Sequence, residues 1–142
     1  MAGSKRSGAV SVSRNLVWGI AALAAAGLLA WWLSSGTRVT KVDVEVPELS
    51  PVAQAGREAF QVHCAECHGP AAGGTDQGPP LVHQWYRPNH HADAAFVLAA
   101  KRGVPQHHWN FGNMPPQPQV GERSLQQITQ YVRELQQANG ID

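Results

Sequence analysis

Cys64-Ala65-Glu66-Cys67-His68 is the stretch whose reading decides what this chain folds around. The two cysteines are the only ones among 142 residues, and at three positions apart they cannot staple distant loops. Two thiols on one helical turn reach the two vinyl edges of a porphyrin, and the adjacent imidazole reaches its iron. Cys-x-x-Cys-His is therefore the attachment signature of a covalent c-type haem. At this composition chance yields the pattern in about one chain per thousand, so the signal is specific. A thioredoxin-like redox pair would need a preceding βαβ context, which the helical pattern here lacks. A zinc site would need two more ligands at finger-like spacing, and His83 has no histidine partner three to five residues on.

Working outward, Val52, Gly56, Ala59, Phe60, His63, Cys64 and Cys67 recur at three- and four-residue steps, so one helix face runs into the motif. A second helix is expected near His91 to Arg102, with Asp93 in its first turn, Lys101 and Arg102 in its last and Gly103 as terminator. A third places Leu125, Ile128, Tyr131, Val132 and Leu135 on one face and stops at Asn139-Gly140. The fold class is all-α: a helical domain over residues 51–142 around one haem, whose apolar body completes a core otherwise poor in large aliphatic side chains.

Upstream, no charged residue occurs from Asn15 to Thr37, and Leu16 to Leu33 is almost wholly apolar. About 20 such residues span a bilayer core of roughly 30 Å, so residues 15–34 read as one transmembrane anchor, with Trp18 and Trp31-Trp32 near its ends. Lys5, Arg6 and Arg14 place the tail, residues 1–14, in the cytoplasm. A cleaved signal peptide, with Ser34-Ser35-Gly36 as the processing region, is the competing reading. The apolar run exceeds the about 7–15 residues of a signal core, which favours the anchor. Either reading exports the haem domain, which is expected in the periplasm or outside the cell. Val42 to Pro47 alternates with period two, and without a second strand residues 35–50 read as an extended linker, a plain spacer.

Met114 is the only methionine besides the initiator, in Phe111-Gly112-Asn113-Met114-Pro115-Pro116. A lone methionine is ordinarily core filler, but a thioether loop well after a His-ligated haem motif is what a six-coordinate electron-transfer haem requires. His68 and Met114 are thus the expected iron ligands. His107 and His108 stand close enough in sequence to compete for the sixth position. The pairs His90-His91 and His107-His108 also raise copper or another metal, although adjacent pairs do not define a coordination geometry, and exposed polar side chains and haem-edge contacts are the plainer reading. Trp85, Tyr86, Trp109 and Phe111 either line the haem pocket or pack the loops; Trp109 and Phe111, close to Met114, are assigned to the pocket.

The segment from Pro51 to Asp142 resembles the class I cytochromes c, and the transmembrane segment resembles those of bacterial membrane-anchored members. Gly56 with Phe60 is similar to the glycine and aromatic of the family's first helix, and Tyr131 to the aromatic of its last. In the family these helices cross closely over the small residue. Gly78-Pro79-Pro80-Leu81 resembles the loop whose proline carbonyl accepts a hydrogen bond from the ligand imidazole, which gives Pro79 the role of orienting His68. Met114-Pro115 resembles the ligand dipeptide. The histidine wealth departs from the general pattern.

The resemblance implies a single-electron carrier rather than an enzyme, cycling Fe(III)/Fe(II) between redox proteins that donate and accept, such as respiratory or dehydrogenase complexes at the bacterial inner membrane. The rivals are a haem enzyme or gas sensor in which a small molecule displaces Met114, and a periplasmic metal-handling protein that uses the His pairs. Beyond the three early basic residues the chain carries 8 basic and 10 acidic side chains, about −2, which argues against nucleic acid as a partner. Oligomeric state is not legible here.

Overall fold

The computed structural model describes residues 14–34 and 41–142, with side chains described from residue 15 to 31 in the first stretch. Residues 1–13 of the cytoplasmic tail expected over 1–14, and residues 35–40 of the expected linker, lie outside the described residues. The chain divides into two units, Met1–Arg38 and Val39–Asp142.

In the first unit helix α1 covers Arg14–Ser34, 21 residues. Its alanine- and leucine-rich sequence favours helix, and Leu16, Trp18, Leu23 and Leu29 are exposed. Among the described residues no helix is long and apolar enough to cross a membrane. The transmembrane span expected at 15–34 is therefore not found among the described residues.

The second unit is helical: α2 (Pro51–His63), the single turn α3 (Ala65–His68), a 3₁₀ turn (Gln84–Tyr86), α4 (Asp93–Arg102) and α5 (Glu122–Ala138). No β-strand occurs among the described residues; one isolated antiparallel bridge joins Val104 to Met114. The expected apolar face of α5 is buried as a whole, Leu125, Ile128, Tyr131, Val132 and Leu135 included. On α2 the inward face is Ala53, Gly56 and Phe60, whereas Val52, expected inside, is exposed: steps of three and of four back from Gly56 reach Ala53 and Val52 alike, and the packed face is centred on the Ala53 side.

Helices α2 and α5 cross where Gly56 leaves room. A Cβ on Gly56 would stand 2.0 Å from the Gln127 carbonyl oxygen, so only glycine permits this approach. One turn on, the Phe60 and Tyr131 rings meet edge-to-face at 5.4 Å between centroids, and the Tyr131 hydroxyl donates to the Pro70 carbonyl at 3.0 Å. The glycine and both aromatics thus perform the helix crossing that the sequence suggested.

Residues 41–50 are extended, as expected, but the spacer reading fails for them because they are docked on the helical body. The Val42 N–H donates to Gly73 O at 2.8 Å, Glu45 exchanges hydrogen bonds with the Asn139 side chain at 3.0 and 2.8 Å, and Leu49 is buried. Val42 and Val44 are half-buried where they meet Gly73, Val46 stays exposed, and Asn139 at the end of α5 holds the backbone between them. At the end of this segment Ser50 caps α2 and is tied to α5. Its hydroxyl accepts from Ala53 N–H at 3.2 Å and donates to Glu134 Oε1 at 2.6 Å, while its own N–H donates to Glu134 Oε2 at 2.9 Å.

Burial pushes the Glu134 carboxyl up, but the hydrogen bonds from Gln130 and Ser50 outweigh it and hold the group below its ordinary range. A depressed carboxyl contributes stability above its unfolded value and loses it as pH falls through the folded one. Ser50→Ala is accordingly expected to lower stability by about 1 kcal/mol at neutral pH. In urea denaturation at a series of pH values, the gap between wild type and Glu134→Gln should close below about pH 4.

Candidate haem site

Helix α2 ends at His63 because Cys64 leaves helical geometry at φ −128°, and the motif then forms its own turn, α3, with the His68 N–H bonded to Cys64 O at 2.9 Å. The helix face that runs into the motif thus ends where the motif begins, and the separate turn carries His68 to the cleft. His68 is 8% exposed and lines a cleft of about 410 Å³. Its Nδ1 lies 2.9 Å from the Pro79 carbonyl oxygen. A carbonyl only accepts, so Nδ1 carries the proton and Nε2 keeps its lone pair for a metal. Burial pushes the imidazole below its ordinary value while the Pro79 bond works the other way, and the neutral ring is the ligating form.

Cys64 also lines the cleft, and Cys67 is exposed beside it. Burial first, and the neighbouring Cys67 second, push the free Cys64 thiol up to about 11. Before haem is attached it is therefore a neutral thiol. Phe60, Leu81, Phe96, Leu125 and Ile128 make the cleft apolar, as a porphyrin face requires.

From the loop after α4 comes Met114, which lines the same cleft. Its backbone is held by two hydrogen bonds with Val104, N–H to O at 3.0 and 2.9 Å. This pairing depends on Gly103, which ends α4 at φ +73° and whose Cβ, were there one, would lie 2.5 Å from the Met114 carbonyl oxygen. The fold thus brings Cys64, His68, Pro79 and Met114 to one cleft from separate segments. Trp109, Phe111 and Tyr86 line it too, and the Trp109 indole N–H donates to the Tyr86 hydroxyl at 3.1 Å. Trp85 instead packs on His83 and Trp109 outside the cleft, with ring centroids at 5.1 and 4.6 Å.

Sequence reasoning missed Arg133, 7% exposed on α5, which organises the loop over the cleft. Its Nε pairs with Asp93 at 2.8 Å, one terminal nitrogen donates to the Tyr86 carbonyl at 2.8 Å and to Gln136 Oε1 at 2.6 Å, and the other donates to the His91 carbonyl. Gln136, fully buried, adds bonds to the Leu81 and Tyr86 carbonyls at 2.8 and 3.1 Å. An arginine and a glutamine beside the apolar stripe of an otherwise amphipathic helix were the available signal.

The donor set fits a covalent haem: two thiols on one turn, a buried imidazole with the correct nitrogen exposed to a metal, and an apolar wall. Comparison with curated proteins gives no match, and comparison with solved structures gives none either. The family model for cytochrome c matches residues 53–136, which take in most of α2, the haem motif, the Met114 loop and most of α5. The chain belongs to the cytochrome c family, and it binds one haem c covalently through Cys64 and Cys67 for electron transfer.

Proposed function

We propose that this cytochrome is a single-electron carrier whose haem iron is held by His68 and Met114 and which is confined to the bacterial cytoplasmic membrane with its haem domain in the periplasm. The observation that carries the reading is that a buried His68 and a backbone-pinned Met114 line one apolar cleft. The haem supplies a reversible Fe(III)/Fe(II) couple, and methionine as the second ligand favours the reduced state and a higher potential. The protein's part is orientation and dryness. Pro79 fixes the His68 ring, the Val104 pairing fixes the thioether loop, and Phe60, Leu125 and Ile128 exclude water. His68 and Met114 would together hold the iron and leave it no position for a substrate, which favours a carrier over an enzyme. Donor and acceptor are redox proteins that dock weakly, as small redox interfaces do.

Confinement to the membrane is supported by the uncharged run from Asn15 to Thr37 and by the basic residues before it. Resistance of the haem protein to alkaline extraction from membranes checks this, and release as soluble protein would oppose it.

The ligand assignment is tested by optical spectra of the oxidised, haem-loaded protein. Wild type is expected to show the weak sulfur-to-iron charge-transfer band, and Met114→Ala to lose it with a lower midpoint potential. A wild type without the band, or a variant that retains it, would overturn the assignment of Met114.

A further inference from the structure

His90 and His91 close the loop before α4, and His108 lies far along the chain in the loop that leads to Met114. The fold brings the three together: one ring nitrogen from each lies within 4.8 Å of the others. Solvation accounts for exposed histidines one at a time, but not for convergence of three imidazoles from two loops.

The cluster is also built. His91 Nδ1 lies 2.6 Å from the Trp85 carbonyl oxygen, which fixes the proton there and leaves Nε2 with its lone pair. A backbone carbonyl on the far ring nitrogen is the usual way a metal-binding histidine is oriented. The His91 carbonyl is in turn held by the buried Arg133, whose charge is paired with Asp93 at 2.8 Å. The His108 ring lies over Trp85, centroids 4.8 Å apart and planes tilted by 31°.

We propose that His90, His91 and His108 form a binding site for a divalent transition metal, Cu²⁺ ahead of Zn²⁺, at the rim of the haem cleft. Imidazoles without carboxylates suit copper and zinc and not calcium or magnesium, which take oxygen donors. Copper binds such a set more tightly than zinc by the general order of stabilities. Metal–nitrogen bonds of about 2.0–2.1 Å put the nitrogens about 3.3 Å apart round a tetrahedral Zn²⁺ and cis nitrogens about 2.9 Å apart round a tetragonal Cu²⁺, so the rings close inward by about 1 Å. His90 is exposed and free of the core, so its side chain is able to make that movement. Three protein ligands leave a position for water. His91 and His108 also line the cleft, so the ion would sit beside the haem and apart from its axial ligands.

The test is titration of the haem-loaded full chain with Cu²⁺ alone and with Zn²⁺ alone, followed by calorimetry, and for copper by electron paramagnetic resonance. The expected result is one saturable equivalent with nitrogen ligation, bound more tightly for copper. His90→Gln, His91→Gln and His108→Gln should each weaken it at least about tenfold, and His63→Gln should bind as wild type does. Because His90 is exposed, His90→Gln leaves the fold intact, and an unchanged haem spectrum in that variant verifies it. Absence of saturable binding, wild-type affinity in His90→Gln, or equal weakening in His63→Gln would overturn the proposal.

Discussion

Replacement of both Cys64 and Cys67 by alanine is expected to convert a haem that survives acid extraction completely into one that is extracted completely. The thioethers are the only covalent links the chain can offer, since these are its only cysteines. Without them haem is retained through axial coordination and the apolar cleft alone, and tethering no longer supplies a high local concentration. The loss extends to the fold. Without haem the helices that pack round the apolar cleft lose the group that completes a core poor in large aliphatic side chains. Far-ultraviolet circular dichroism of the haem-free double variant is therefore expected to show most helical signal lost. Haem retained after extraction would contradict attachment at these positions.

Gly56 governs the second large effect. A methyl group there would sit 2.0 Å from the Gln127 carbonyl oxygen and 2.4 Å from its carbon, both rigid backbone atoms, so no side-chain rotation relieves the overlap. Relief requires α2 and α5 to move apart, which opens the Phe60–Tyr131 contact beside them. Gly56→Ala is expected to cost about 3 kcal/mol, and Gly56→Leu to prevent accumulation of folded protein. Thermal denaturation of the haem-loaded alanine variant should show a midpoint about 15 °C below wild type. A shift of only a few degrees would mean that the crossing tolerates separation.

What was legible from sequence follows from where the physical signals are local. The haem motif is a spacing of three residues, and the α5 face is a helical period, so both were read directly. Pro79 and the Gly56 crossing came through resemblance, because a carbonyl acceptor and a missing Cβ leave no mark in composition. Arg133 was opaque for a different reason: its partners Asp93, Tyr86 and His91 lie some forty residues away and two of its acceptors are backbone atoms. The alternating segment from Val42 was read as an unattached spacer because its partners, Gly73 and Asn139, follow much later in the chain. The convergence of His90, His91 and His108 was hidden similarly. Adjacent pairs in sequence suggested His107 with His108, whereas the fold selects one member of that pair to join the other.

The central claim is an iron with both axial positions filled by His68 and Met114, and addition of carbon monoxide to the reduced, haem-loaded protein at neutral pH tests it most directly. The account predicts an unchanged optical spectrum in wild type and rapid, stoichiometric binding in Met114→Ala. Immediate stoichiometric binding by wild type would contradict it and identify a site open to small ligands.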